Sequence, residues 1–137
     1  MQDKPAVTVR EIGPRDGLQM AKTTMPTDAK LRWIAAMAAA GVREMEVASF
    51  ASPAAMPQMA DAAAVAAGAR AAHPALRIVA LAPNLRGAQN AAAAGARSIV
   101  MPVSASEAHS QANSLVFGGL RECEATPRGV PIGHRFC

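Results

Sequence analysis

The sequence predicts an α/β fold in which parallel strands alternate with helices. A helix-to-strand unit occurs at 38–49 and again at 92–104, and a looser version spans 68–83. In the first two, an alanine-rich helix end leads to a glycine, Gly41 or Gly95, and then to an apolar run of strand length. Glycine suits the left-handed position that follows a helix C-terminus. Repeated units of this kind predict parallel strands joined by crossover helices of one hand.

Hydrophobic periodicity gives the individual elements. The first strand is predicted from the apolar alternation of Val7, Val9 and Ile12, which runs into the turn signals Gly13-Pro14 and Asp16-Gly17. The other strands follow from apolar runs, and the helices from alanine-rich segments between them. The predicted strands span 7–12, 43–48, 77–82 and 98–103, and the predicted helices span 28–40, 60–72 and 85–94.

Helix starts are predicted from capping residues. Thr27 is expected to cap the first helix and Asp61 the second, because a side-chain oxygen there can accept a bond from a free backbone N–H. A further helix is predicted to start near Ser104 or Ser106. One face of the first helix repeats apolar residues at helical spacing and is assigned to the core: Leu31, Ile34 and Met37.

Length and composition divide the chain at about residue 111. The 137 residues suffice for one domain, since folded domains commonly run to about 100–150 residues. We assign 1–111 to one α/β domain. Beyond it no period of 3.6 or 2 persists, and Pro127 and Pro131 interrupt the pattern. We interpret 112–137 as an irregular tail.

Charge and composition limit the classes of partner. The net charge of +4 is scattered, and the chain has few aromatic residues for stacking on bases, so we expect no nucleic-acid partner. A mildly basic surface equally suits an acyl-CoA. The sequence has no uncharged apolar run of membrane-spanning length, no secretory leader at its start, and two cysteines. We therefore expect no membrane partner and a cytoplasmic protein.

The most informative stretch is 10–19, which reads Arg-Glu-Ile-Gly-Pro-Arg-Asp-Gly-Leu-Gln. It places Arg15 and Asp16 just past the C-terminal end of the first predicted strand. Ligands bind at that edge in open α/β sheets and in barrels, because the loops there carry chemistry while the strands fix their position. The alternative is an ordinary strand-to-helix turn with a solvated ion pair.

Four segments carry a resemblance to a known family. They are 11–19, the run Glu-Val-Ala-Ser-Phe at 46–50 with Ser52-Pro53, Pro-Gln-Met at 57–59, and Ala-Pro-Asn-Leu-Arg-Gly at 82–87. In this order and spacing the sequence resembles the hydroxymethylglutaryl-CoA lyase family. The resemblance implies a (β/α)8 barrel and cleavage of 3-hydroxy-3-methylglutaryl-CoA to acetyl-CoA and acetoacetate. A complete barrel has about 250 residues, so 1–111 would be a partial barrel, its N-terminal half. Because the match stops near Ala112, the resemblance also implies that 112–137 is a non-native tail of the kind that a change of reading frame would add. It also implies a divalent cation, Mg²⁺ or Mn²⁺, which prefers carboxylate oxygens.

The resemblance also implies roles for particular residues. Asp16 matches the family's metal-ligand aspartate, and Arg15 matches its catalytic arginine. Glu46 matches a glutamate near that arginine, with a catalytic or supporting role. Gln19 matches a substrate-site position, and Lys22 falls where a basic residue approaches substrate or CoA.

Two further candidates, Ser49 and Asn84, lie at other predicted strand ends, where a barrel places its substrate-binding loops. For Asn84 the alternative is a helix N-cap before Leu85, and both interpretations stay open. Glu46 lies in a strand that should be buried, so we expect it to pair with Arg15, since a buried carboxylate alone is costly. The alternative is that Glu46 faces solvent. Of the two strand glutamates, we expect Glu44 to be the one that faces solvent.

The chain departs from the family in the later part of the barrel. The family's His-x-His metal ligands, its metal-ligating asparagine and its Gly-Cys-Pro loop have no counterpart in this sequence. The cation site is therefore predicted to be incomplete and the isolated chain inactive. One alternative to the lyase function is that of a condensing enzyme like isopropylmalate or homocitrate synthase. Another alternative is a non-catalytic half barrel that self-associates through the open edges of its sheet.

Overall fold

The computed structural model describes residues 7–102. Within this range strands and helices alternate along the chain, with two short helical turns between them. The strands are β1 (Arg10–Glu11), β2 (Glu44–Ser49), β3 (Arg77–Leu81) and β4 (Ser98–Val100). The helices are α1 (Thr27–Ala39), α2 (Ala62–Ala72) and α3 (Leu85–Ala93), and the turns are Gly13–Gly17 and Pro57–Met59.

The four strands form one parallel sheet in the order β1-β2-β3-β4. Each strand pairs with the next along the chain, and a helix links the two in every case. The register between β2 and β3 shifts between Glu46 and Ala48, which marks a bulge near the end of β2. The predicted α/β class with four parallel strands is confirmed.

The core lies between the sheet and the helices. Alternate residues of β2 and β3, including Met45 and Ile78, face Ile34 of α1 and Val65 of α2 in one apolar cluster. The rest of the α2 contribution consists of alanines, whose small side chains let the helix lie close to the strands. The core assignment of the first helix is confirmed, since Ile34 is fully buried and Leu31 and Met37 pack on the cluster.

Helices α1 and α3 end in the same way. Gly41 has φ of 99° and Gly95 has φ of 90°, the left-handed region that glycine adopts without strain. At both ends the glycine N–H and the following N–H bond back to carbonyls of the last helical turn, which is the pattern of a Schellman motif. The repeat seen in the sequence therefore corresponds to one helix C-terminal motif that forms twice.

The first strand is shorter than predicted. Only Arg10 and Glu11 pair with β2, whereas Val7 and Val9 are 83% and 75% exposed. The strand was predicted at the right place, but its predicted bounds of 7–12 are too wide for a physical reason. Apolar alternation favours a strand only where a sheet neighbour and a covering layer receive it, and in the described residues β1 has a neighbour on one side alone.

The predicted helix caps are also corrected. Pro26, not Thr27, occupies the N-cap position of α1, and Thr27 is the first helical residue. Asp61 does occupy the N-cap position of α2, but its side chain makes no capping bond. Instead the Thr27 hydroxyl donates to Asp61 Oδ2 at 2.7 Å. The two presumed caps bond each other because the starts of α1 and α2 lie side by side.

Two other expectations fall outside the described residues. These are the helix near Ser104 or Ser106 and the tail at 112–137; the domain boundary at 111 stays a prediction. The fourth strand, predicted over 98–103, ends at Val100. Within 7–102, the helices are all too short or too polar to cross a bilayer.

Candidate active site

A π-helical turn over Gly13–Gly17 carries the first two candidate residues. The N–H groups of Arg15 and Asp16 both bond to the carbonyl oxygen of Ile12, at 3.0 and 2.7 Å. Pro14 in the first turn has no N–H to satisfy. The chain therefore folds back at the C-terminal end of β1 and places both side chains beside β2. Single π turns of this kind are frequent at functional sites.

Arg15 bridges two carboxylates. Its Nε lies 2.6 Å from Glu46 Oε1, and its Nη1 lies 2.6 Å from Asp16 Oδ1. The side chains of Arg15 and Glu46 are 14% and 3% exposed, whereas that of Asp16 is 52% exposed. The predicted Arg15–Glu46 pair is confirmed. A guanidinium has five N–H groups, and these two bonds engage its Nε and Nη1 atoms.

Glu46 lies on the face of the sheet opposite the helices. Its neighbours Met45 and Val47 pack in the core cluster, and side chains alternate along a strand. Its register partner Val79 is buried but is not part of that cluster. In a closed barrel the face away from the helices is the interior, which is where this pair points.

Glu44 does not face solvent as expected. It is 7% exposed and shares the sheet face of Glu46 two residues away. Its Oε1 lies 2.5 Å from Arg10 Nε, and its Oε2 lies 3.7 Å from Arg77 Nη1. The two arginines are its register partners on β1 and β3. Parallel pairing thus supplies charge compensation that spacing within one strand cannot reveal.

Ser49 and Asn84 both lie at the predicted strand ends. Ser49 is the last residue of β2, fully buried, and its Oγ has no hydrogen-bond partner among the described residues. Asn84 follows β3 and is the N-cap of α3, where its Oδ1 accepts a bond from the Gly87 N–H at 2.9 Å. The capping interpretation of Asn84 is therefore confirmed, and its role toward a substrate stays a prediction.

Gln19 and Lys22 belong to the segment 18–26 between the π turn and α1. Gln19 is half-buried and Lys22 is exposed. The structure also reveals a buried group that the sequence analysis missed, Lys30, whose ammonium bonds to Asp61. The burial of Lys30 could have been predicted from its position, because it lies on the same helix face as Ile34 and Met37.

The described residues do not form a complete cation site. Within 7–102, no group of three or more histidine, cysteine, aspartate or glutamate side chains could share a metal ion. Asp16 offers a half-exposed carboxylate of which one oxygen is bonded to Arg15. Mg²⁺ and Mn²⁺ take up to six oxygen ligands, so Asp16 alone does not fit such an ion.

These features define a class of protein. The parallel sheet with sequential strand order, its crossover helices and a charged cluster at the C-terminal strand ends are those of the first half of a (β/α)8 barrel enzyme. The family model described as HMGL-like matches residues 6–116. The chain belongs to that family.

Curated relatives and solved structures agree with this assignment. The chain is 45% identical over 107 residues to the cytoplasmic 3-hydroxy-3-methylglutaryl-CoA lyase of Rattus norvegicus, covering 78% of this chain and 31% of the relative. It is 44% identical over 107 residues to the 3-hydroxy-3-isohexenylglutaryl-CoA/hydroxy-methylglutaryl-CoA lyase of Pseudomonas aeruginosa, covering 78% of this chain and 35% of the relative. The chain thus spans about a third of the length of these curated relatives.

The fold comparison gives the same family. An HMG-CoA lyase of Acinetobacter baumannii, solved with coenzyme A and 3-methylmalate, superposes with a TM-score of 0.82 at 35% identity. That match covers 91% of this chain and 43% of the other. The HMG-CoA lyase of Brucella melitensis superposes with a TM-score of 0.80 at 37% identity, covering 92% of this chain and 47% of the other. The prediction of a partial barrel of the lyase family is confirmed.

Proposed function

We propose that this chain carries the N-terminal part of a hydroxymethylglutaryl-CoA lyase site. The observation that supports this most directly is the Arg15 guanidinium, held by Glu46 on one side and Asp16 on the other at the C-terminal edge of the sheet. The membership in the HMGL-like family supplies the reaction class. The whole activity belongs to a complete barrel, of which this chain provides under half.

The proposed reaction is a retro-aldol cleavage. The tertiary hydroxyl of 3-hydroxy-3-methylglutaryl-CoA loses its proton to a base. The bond between the carbinol carbon and the α-carbon of the thioester then breaks. The bonding pair becomes the enolate of acetyl-CoA, which is then protonated, and the carbinol carbon becomes the ketone of acetoacetate. Arg15 would stabilise the developing anion through the N–H groups that Glu46 and Asp16 leave available.

Glu46 serves in this proposal to orient Arg15. Because its side chain is 3% exposed and its carboxylate bonds to Nε, it would orient the guanidinium from the buried side. Asp16 would contribute one ligand to a divalent cation, and the remaining ligands would come from outside 7–102. When bound, such a cation supplies Lewis-acid polarisation of substrate oxygens.

Substrate binding is assigned to the strand ends around this cluster. The buried, unpartnered hydroxyl of Ser49 is suited to bond a polar group of the substrate. Gln19, Lys22 and Asn84 would contribute from the neighbouring loops, with Lys22 toward the anionic CoA. The structure solved with coenzyme A supports an acyl-CoA as the ligand class. Relatives include cytoplasmic and mitochondrial lyases, and we retain a cytoplasmic location as part of the proposal.

A chimera tests the proposal. The corresponding N-terminal segment of the Pseudomonas aeruginosa lyase would be replaced by residues 7–102 of this chain, and cleavage of hydroxymethylglutaryl-CoA would be measured with Mg²⁺ present. We expect measurable turnover, abolished by Arg15→Met and retained by Arg86→Met on the exposed surface of α3. A soluble, folded chimera whose turnover survives Arg15→Met would contradict the role of this residue.

A further inference from the structure

The start of α1 and the start of α2 enclose a buried polar network. Lys30 is 2% exposed, and its Nζ donates to Asp61 Oδ1 at 2.5 Å and to the Gln58 carbonyl oxygen at 2.6 Å. Asp61 also accepts from the Thr27 hydroxyl. A buried ammonium requires such partners, because its desolvation is costly. The function proposed above makes no use of this lysine.

The network reaches the segment 18–26 through Gln58. The backbone carbonyl oxygen of Gln58 accepts a hydrogen bond from Lys30. The side-chain Nε2 of Gln58 donates a hydrogen bond to the Ala21 carbonyl oxygen at 2.9 Å. Within 7–102 this is the single side-chain hydrogen bond made to the segment, in which only Leu18 is buried. Ala21 lies between Gln19 and Lys22 in sequence. The conformation of that part of the segment therefore depends on Gln58.

We infer that Lys30 and Gln58 act as positioning residues that hold the segment 18–26 over the C-terminal edge of the sheet. Lys30 fixes the backbone at Gln58, and the Gln58 amide fixes Ala21. This inference deepens the proposed function, and its link to substrate rests on that proposal. A purely structural role would instead confine the network to joining α1 with α2, with no effect on the segment.

Hydrogen exchange of the 137-residue chain, read by mass spectrometry, separates these roles. Gln58→Leu removes the amide but keeps the carbonyl that Lys30 needs. Since one hydrogen bond has a net worth of about 0.5–1.5 kcal/mol, we expect exchange in 18–26 to quicken about two- to tenfold, with α3 unchanged. The matched control, Gln89→Leu on the exposed face of α3, should leave 18–26 unchanged.

Lys30→Met should change exchange in the same direction, because the Gln58 carbonyl loses its donor. If that variant fails to fold, Gln58→Leu still decides the question. Unchanged exchange in 18–26 for Gln58→Leu would overturn the inference, as would an equal increase in 18–26 and α3.

Titration with coenzyme A of the chimera with the Pseudomonas aeruginosa lyase, in which the barrel is complete, then separates the inference from the function it rests on. Weaker coenzyme A binding by the Gln58→Leu chimera than by the Gln89→Leu chimera supports both. Quickened exchange with no coenzyme A binding by the unaltered chimera leaves the positioning role supported and counts against the proposed function. Equal coenzyme A affinity in the two variants, despite quickened exchange, overturns the link between the segment and substrate.

Discussion

At the scale of single residues, the site depends on how Arg15 is held. Its guanidinium is mostly buried and lies between a fully buried carboxylate and a half-exposed one. The buried partner, Glu46, bonds to Nε, and the exposed partner, Asp16, bonds to Nη1 through one carboxylate oxygen. Arg15 is thus anchored to the buried strand on one side and pairs with a half-exposed carboxylate on the other.

Arg15→Met should destabilise the chain strongly. Removing one partner of a buried ion pair leaves the other uncompensated, at about 3–5 kcal/mol, and Glu46 is the group left unpaired. Urea denaturation would measure the loss against Arg86→Met, an exposed change expected to stay within about 0.5 kcal/mol. The double variant Arg15→Met/Glu46→Leu should recover part of the loss. If Arg15→Met were as stable as the control Arg86→Met, the buried ion pair would be contradicted.

At the scale of elements, α3 begins close to the end of β2. The Gly87 N–H bonds to Asn84, and a methyl group added at Gly87 would lie 2.7 Å from the Phe50 carbonyl oxygen. The strand and the helix therefore approach at a distance that only glycine permits. This contact fixes α3 against the strand end where Ser49 lies.

Gly87→Ala should lower stability although alanine is the better helix former. In an open helix position the change would gain about 1 kcal/mol, but here the methyl meets backbone that cannot rotate away. We expect a loss of about 1–3 kcal/mol in thermal or urea unfolding. Gly17→Ala is the control, because nothing lies within 4 Å of the added methyl. A gain in stability for Gly87→Ala would refute the close approach.

Asn84→Ala tests the helix cap separately. Loss of the bond to the Gly87 N–H leaves a helix-start donor without its partner and should lower stability by about 0.5–2 kcal/mol. Asn90→Ala, in the exposed middle of α3, supplies the same chemical change without a cap. It should have little effect or stabilise slightly, because alanine has the higher helix propensity. Similar losses in both variants would argue against the capping bond.

At the scale of the whole molecule, the four-stranded sheet is an open structure. Strands β1 and β4 each pair on one side only within the described residues, whereas a closed barrel leaves no edge. Val7 and Val9, which precede β1, and Met20, which follows the π-helical turn, add exposed apolar surface. The solved relatives are more than twice as long as the matched part of this chain.

We expect the chain to self-associate. The edge strands of the parallel sheet have backbone N–H and C=O groups that can pair with a strand of another chain. Exposed apolar side chains also favour association. Size-exclusion chromatography with light scattering should give a mass above 14.1 kDa or loss of soluble protein. A monodisperse monomer that unfolds cooperatively would contradict this.

We also expect the purified chain to show no lyase turnover of hydroxymethylglutaryl-CoA with Mg²⁺ or Mn²⁺. Asp16 by itself cannot complete the coordination of such an ion, and an unpositioned metal supplies no catalysis. The Arg15→Met variant, purified identically, controls for contaminating host enzyme. Turnover by the unaltered chain that this variant lacks would overturn the expectation.

The sequence by itself determined the features that depend on local chain chemistry. The α/β alternation followed from hydrophobic period, and the glycine stops at Gly41 and Gly95 followed from the rarity of left-handed backbone in other residues. Parallel strand order then placed Arg15 beside Glu46, because sequential βα units put neighbouring strand ends together.

Only the tertiary structure decided which charged and apolar side chains are buried. Glu44 is buried because arginines on two neighbouring strands compensate its charge. Lys30 is buried because Asp61 and the Gln58 carbonyl oxygen accept hydrogen bonds from its ammonium group. Val7 and Val9 stay exposed because no described element covers them. Burial of a charge is a property of partners distant in sequence, so periodicity along one element cannot determine it.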